Sequence, residues 1–558
     1  MPGSGESGGN QVRAYRQILL WPLQLMPIRE DSQIQRHWEL LGPPGKTNPW
    51  SEVEDEFCAD PRDFKERHYN EFISFLPHVQ RFLYGEARRS GRGHRLGGSP
   101  MRVFRREDVQ AVRVRTHANS APRTLQIKHI DLYFFYDIDV VLLNVEVHAK
   151  DLPLHEAQDL LYRFGRAYPG SWDDDGQARN CMAEVEWLGE GGAVLSRSDV
   201  HNREKFLSFV GRNRAAAIAD HWAFLLKPLV LDAGSDHGSI RFKQLEYYRM
   251  PVMGYLAVAD TRALNRNDFV RMGLVTAPGT DDRLPFSEQY LADFEPKHCY
   301  DRYWNTPPLP GDTRYVCNGH ALVVVGDANS ALFVDDESGV QAQFRHQYFL
   351  MFLIAHMQRA ALLMFSKRLA DAVDRLQIQD PESVKEFKRT IRQNFEIFLR
   401  FNHRYWFHDL SDQVQLKALF QMCARHLGSD GLYADVKEEI LDMSQYLDSD
   451  SLRRQSNTVL RLTVVTTFGL IGTIGTGFLG MNLLASADEP LWNRALFFIA
   501  ILIPTAWLTL YTVVKSKRLS DFLEALSDEQ LTVREKLGAL ADVWRRRRLL
   551  DDAVRERR

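Results

Sequence analysis

Two stretches near the C-terminus carry no side chain that is charged at neutral pH, Thr463 to Ala487 and Ala495 to Val514. Each is long enough to cross the roughly 30 Å hydrocarbon core of a bilayer as a helix, so the pattern predicts two spans joined by a very short hairpin. Upstream, no Gly or Pro occurs from Leu432 to Phe468, and Leu432, Val436, Ile440, Met443 and Leu447 keep a three-to-four spacing. That spacing predicts a helix with one apolar face. From Leu432 to Asn482 it would run about 75 Å, so half of it stands outside the bilayer as a stalk. Earlier still, Gln341 to Leu376 and Glu382 to Leu427 lack Gly and Pro, while Pro381 and Gly428-Ser429-Asp430-Gly431 punctuate them. Two antiparallel helices ahead of the stalk are expected.

The first 340 residues read differently. Gln126 to His148 is dense in β-branched and aromatic residues with partial alternation, and Ala321 to Asp327 repeats the style. Both predict strands. Ile18 to Ile28 is apolar but interrupted by Pro22 and Pro27, which makes it a strand and not a signal peptide. Leu154, Leu160, Leu161 and Phe164 suit a helix packed on that sheet. Gly85 to Pro100, rich in Gly, Arg and Ser, reads as a loop or linker. The fold class that follows is an α/β cytoplasmic domain followed by long stalk helices and two C-terminal transmembrane helices. Its parts are 1–340, the α/β domain; 341–458, the helical stalk region; 459–484, the first span; 485–492, a short outward-facing loop; 493–514, the second span; and 515–558, a basic cytoplasmic tail.

Composition narrows the partners. The chain has 558 residues, 44% hydrophobic and 26% charged, with a formal net charge of -3. That balance offers no basic excess to neutralise phosphates, so nucleic acid is not an expected partner. The 5 cysteines are scattered and odd in number, as suits free thiols in a reducing compartment. Arg453, Arg454 and Arg461 precede the first span and Lys515, Lys517 and Arg518 follow the second, which places both termini in the cytoplasm of a cell whose inner or plasma membrane holds the spans. No constellation of residues argues for an enzyme.

The candidate chemistry sits where the first span ends, at Gly480-Met481-Asn482. Magnesium gives up its water reluctantly, so a selective mouth is better built from neutral oxygens that touch the hydrated ion than from carboxylates. Asn482 supplies such an oxygen, Gly480 permits close backbone approach, and Met481 is expected to pack against the next subunit. Helix dipoles ending here favour a cation, and Asp488 and Glu489 in the loop would concentrate ions. At helical spacing behind the triplet lie Gly477, Thr473, Leu470, Thr466 and Leu462, candidates for the lining of a pore. On the stalk, Asp442, Asp448 and Asp450 by themselves read as part of a solvated helix face.

The array Asn457-Thr-Val-Leu-Arg-Leu-Thr463, a Gly/Thr-rich span, the Gly-Met-Asn triplet, a short acidic loop, an aromatic-rich second span and Lys515-Ser-Lys-Arg518 resembles the CorA family of divalent-cation channels. The resemblance covers roughly Gln341 to Leu519. It implies a homopentamer with a funnel-shaped cytoplasmic domain, the first span lining the pore and the second forming an outer ring. It also implies Mg2+ as the transported and regulatory ion, with Asp442, Asp448 and Asp450 as the stalk acids that are candidates for the regulatory metal site, and the bilayer as a partner, with no organic cofactor. A zinc transporter of the same superfamily and a membrane-anchored sensor or scaffold with a vestigial pore are the alternatives. Two departures from many members are Leu479 in place of a Tyr before the triplet and the absence of a mid-span Pro.

Overall fold

The computed structural model describes residues 11–28, 35–45, 48–53, 66–85, 99–246, 248–277, 283–377, 380–480, 490–493, 495–496, 499–500, 503–504, 506–508 and 511, with side chains described for only part of 446–480. The linker-like segment Gly85 to Pro100 lies almost wholly outside them, as do the loop acids and the basic tail.

The β-rich sequences form one mixed sheet with helices. Its middle is the hairpin of Arg123–Phe135 and Val140–Pro153, with Gln11–Leu25 antiparallel on the far side of the second strand. Val252–Val258 and Ala321–Asp327 continue the sheet, the latter pair parallel, and Thr313–Cys317 with Cys299–Tyr300 close that edge. At the other edge stand Ala111–Arg115, Glu184–Leu188 and Val194–Arg197. The strand expected over Ile18 to Ile28 thus starts earlier, at Gln11, and ends at Leu25.

Alternation along the middle strands is only partial because both faces are covered, the condition under which strands lose a polar side. Leu19, Trp21 and Leu23 join Val141, Leu143 and Val145 in the main core. Ile18, Leu20, Val140 and Leu142 are equally buried on the reverse face. The helix after the hairpin, Leu154–Arg163, sends Ala157, Leu160 and Leu161 into the main core. It stops at Phe164 because Gly165 adopts φ 96, and a Cβ there would fall 2.6 Å from a Leu19 methyl.

The reverse face is covered by Gln347–Asp374, whose Phe349 ring lies 5.9 Å from that of Tyr133. The carboxylate of Glu146 on this face is buried and takes Arg345 at 2.8 Å and Arg16 at 3.2 Å, the double pairing a charge needs at such a depth. By length and composition Val340–Asp374 is apolar enough to cross a membrane, with a mean hydropathy of 1.5, yet 78% of that window is buried. It is the core helix of the sheet.

One expectation is corrected. Glu382 to Leu427 is not a single helix but two, Pro381–Arg404 and Val414–Leu427. The break has a tertiary cause, since no Gly or Pro interrupts it. Tyr405, Trp406, Phe407 and Leu410 are all buried. Gln358 Nε2 donates to the carbonyls of Tyr405 at 2.9 Å and Phe407 at 3.2 Å, and the Leu76 amide donates to Leu410 O at 2.8 Å. Those bonds satisfy carbonyls that a helix would have used internally. Gly428 then takes φ 65 as the left-handed cap of the second helix, and the long helix Ser429–Gly480 begins at once.

Chain contacts divide the protein into a compact unit of residues 1–440 and a second of 441–558. The helices from 341 to 440 therefore pack with the sheet as one body, and the boundary expected at 340 is not where the compact units part. The long helix, 52 residues and about 78 Å, belongs to the first unit up to Ile440 and to the second beyond it. In its first turns Val436 and Ile440 are buried at 1% exposure each, on the apolar face that their spacing predicts.

Candidate functional site

The second unit is built on the distal part of the long helix. Leu462, Thr466, Leu470, Thr473 and Gly477 are all exposed on it. At about 100° per residue these five fall within an arc of about 80°. Val464, 2% exposed, lies on the opposite side of the helix. The stripe alternates methyl-bearing and hydroxyl-bearing side chains, with Leu462 and Leu470 at 63% and 62% exposure.

The threonines are oriented by the backbone. Thr466 Oγ1 donates to Leu462 O at 2.9 Å and lies 2.9 Å from Thr463 O, and Thr473 Oγ1 donates to Gly469 O at 2.9 Å. Thr476 does the same toward Gly472 O at 3.0 Å. Such back-bonding costs the helix a little, but it spends the single hydroxyl proton on the preceding turn. The oxygen's remaining lone pair capacity is then directed outward, as an acceptor. The exposed stripe thus presents oxygen atoms suited to water protons or a cation, held in place without any ionised group.

Gly480 is the last residue of this helix, and its backbone is described. Met481, Asn482, Asp488 and Glu489 lie outside the described residues. Past them, Leu491, Trp492, Leu496, Ile499, Ile503 and Trp507 are between 48% and 84% exposed. Trp507 stacks on Tyr511 with centroids 5.5 Å apart. Each such side chain forgoes roughly 1.5–3 kcal/mol while it stays in water, and an apolar run of this extent marks a surface made for lipid or protein.

Of the proposed regulatory acids, Asp442 is exposed on the long helix, and the side chains of Asp448 and Asp450 are outside the description. Among the described residues no group of three or more His, Cys, Asp or Glu side chains is placed to hold a metal ion. The free thiols Cys181, Cys299, Cys317 and Cys423 are buried, and burial pushes the Cys181 thiol up to about 11 and the Cys299 thiol up to about 12. Cys181 and Cys299 thus stay protonated at neutral pH.

Periodicity alone puts the five candidate lining residues on one arc, but it is silent about two features of the site. The hydroxyl back-bonding is invisible in sequence, where a helical Thr is only its precondition. Hydropathy also ranks Val340–Asp374 as a span, and burial alone separates that core helix from the exposed apolar runs at 459–507.

No family model matches the chain, and no curated protein matches it significantly.

Proposed function

We propose that this protein is a magnesium (divalent-cation) channel of an inner or plasma membrane, assembled from several copies, five by resemblance to CorA, around the first of two terminal spans. The observation that supports it best is the exposed stripe of Leu462, Thr466, Leu470, Thr473 and Gly477 on a helix that runs to Gly480. A surface of neutral oxygens and leucines is wasted on bulk water. Turned toward an axis shared by several copies, it suits a hydrated cation.

On this reading the parts divide the work. A ring of Asn482 amides at the outer end would touch the hydrated ion without stripping it, while the C-terminal ends of the helices lend partial negative charge. Thr473 and Thr466 offer acceptor oxygens to the ion's water. Leu470 and Leu462 form apolar constrictions that open and close by wetting. The exposed Trp492, Leu496, Ile499, Ile503 and Trp507 meet lipid. No bond to the ion is made or broken, so the protein is not an enzyme.

The test is ion flux into proteoliposomes loaded with a magnesium indicator. Wild-type protein should admit Mg2+ down its gradient. Asn482→Ala should lower the flux at least tenfold while the oligomer, read by size-exclusion chromatography with light scattering, stays intact. Flux of Zn2+ that exceeds that of Mg2+ would assign the protein to zinc transport instead, and no flux of either ion would reduce it to a membrane-anchored scaffold.

A further inference from the structure

His298 ends the short helix Phe294–His298, and His426 stands in the last turn of Val414–Leu427. Their imidazoles lie face to face, with centroids 4.5 Å apart and planes within 10°. Each ring also reaches a backbone carbonyl: His298 Nδ1 lies 3.3 Å from Cys317 O, and His426 Nε2 lies 2.8 Å from Lys297 O. A carbonyl only accepts, so in both contacts the imidazole nitrogen carries the hydrogen. The tautomers follow, and the nitrogens left to take a proton are His298 Nε2 and His426 Nδ1. The stack joins the sheet edge to the helix that leads into Ser429–Gly480.

The joint is close on the backbone side too. A Cβ at Gly319 would fall 2.7 Å from His426 O, so only glycine lets the turn after Thr313–Cys317 reach this helix end. Arg359, from Gln347–Asp374, donates to Leu427 O. Two residues after His426, Gly428 makes the left-handed turn from which the long helix starts. Parting the two rings would remove one of the contacts that tie this helix end to the sheet edge, beside the close approach of Gly319.

The charged neighbours do not offset a second positive charge. Lys297 adjoins His298 and pairs with Asp293 at 3.0 Å, and Glu295 is taken by Arg266 at 2.7 Å. Glu246 is taken by Arg359 at 3.2 Å. Arg425 is exposed on the same helix as His426, and Asp430 is exposed in the first turn of the long helix. On the strand and turn beside them, the hydrogen bond with Cys423 and then burial push the Cys317 thiol well above its usual range, and burial holds the His320 imidazole well below its own. Cys423, on the helix, is fully buried. Burial, and then the neighbouring His426, hold the His298 imidazole below its usual range, so a second charge in the stack is disfavoured.

We propose that the His298–His426 stack is a proton-operated latch: it holds the start of the long helix to the sheet edge while at least one ring is neutral, and opens when both are charged. The latch belongs to the first compact unit and stands whether or not the long helix lines a cation path.

Hydrogen exchange read by mass spectrometry on the full-length protein tests it, at pH 7.5 and 5.0, with rates corrected for the intrinsic pH dependence of exchange. Peptides covering 297–300 and 423–432 should exchange at least tenfold faster at pH 5.0, while Val140–Val147 in the sheet keeps its protection. In His298→Phe, which preserves a ring for the stack but only one titratable partner, the two pH values should give equal protection, and His426→Phe should behave alike. Equal protection at both pH values in the wild type overturns the proposal without need of any variant. A pH response that survives in both variants also overturns it.

Discussion

Thr473 Oγ1 makes one bond inward, to Gly469 O at 2.9 Å, and this small fact sets its chemistry. With the hydroxyl proton engaged, the exposed oxygen accepts, and in a proposed ring of copies it would hold the hydrogens of a cation's water shell. Thr473→Val keeps the shape and removes the oxygen, so flux should fall about tenfold, equivalent to roughly 1.4 kcal/mol, while Thr473→Ser stays near wild type. The comparison is made in the same proteoliposome assay, and equal flux in all three proteins would show that the oxygen is idle. A second prediction concerns His221, fully buried in the first unit, where desolvation pushes the imidazole down to about 3 against a weak opposing pull from Asp220. Its folded value lies below its unfolded value near 6.5, so between pH 6.5 and about 3 the unfolded chain binds the extra proton. The neutral imidazole's contribution is complete above pH 6.5 and is lost as the pH falls through that window. Replacing it as His221→Phe should flatten the fall in urea stability between pH 6.5 and 4 by up to one proton, about 1.4 kcal/mol per pH unit.

The informative elements are helices that look alike in sequence and differ in setting. Val340–Asp374 is long and apolar enough to cross a membrane, but it sits against the sheet, with Met351, Phe352, Ile354 and Met357 all buried. The distal part of Ser429–Gly480 leaves Val459, Leu462 and Leu470 more than half exposed. Burial inside a protein and burial in lipid demand the same side chains, so composition does not tell them apart. The break between Pro381–Arg404 and Val414–Leu427 is likewise tertiary. It depends on Gln358, whose amide serves the carbonyls of both Tyr405 and Phe407. Gln358→Leu should leave those buried acceptors unpaired and cost about 2–4 kcal/mol, measured by chemical denaturation of the first unit. A loss below half a kcal/mol would mean that the aromatic packing of Trp406 on Tyr433, centroids 4.4 Å apart, holds the segment by itself.

At the scale of the molecule, residues 1–440 form one compact unit, and beyond it the described residues Leu462, Leu470, Leu491, Trp492, Ile503 and Trp507 are each more than half exposed. A chain ending at Ile440 should therefore fold cooperatively and stay in solution without detergent, whereas the full-length chain partitions into membranes. Ultracentrifugation and thermal melting of both check this, and aggregation of the shorter chain would show that its core needs the remainder. Sequence by itself determined the strands over Gln126 to His148 and Ala321 to Asp327, the helix after Leu154, the apolar face through Val436 and Ile440, and the arc shared by Leu462, Thr466, Leu470, Thr473 and Gly477. These are periodic features, set by the fixed geometry of strand and helix, and local composition suffices to reveal them. Tertiary structure alone decided which apolar helix is core, where the chain breaks at Tyr405, how Arg16 and Arg345 share Glu146, and that His298 meets His426. Each of those depends on residues far apart in the chain arriving at one place, and on burial changing the energy of a charge or an unpaired carbonyl, neither of which any local pattern encodes.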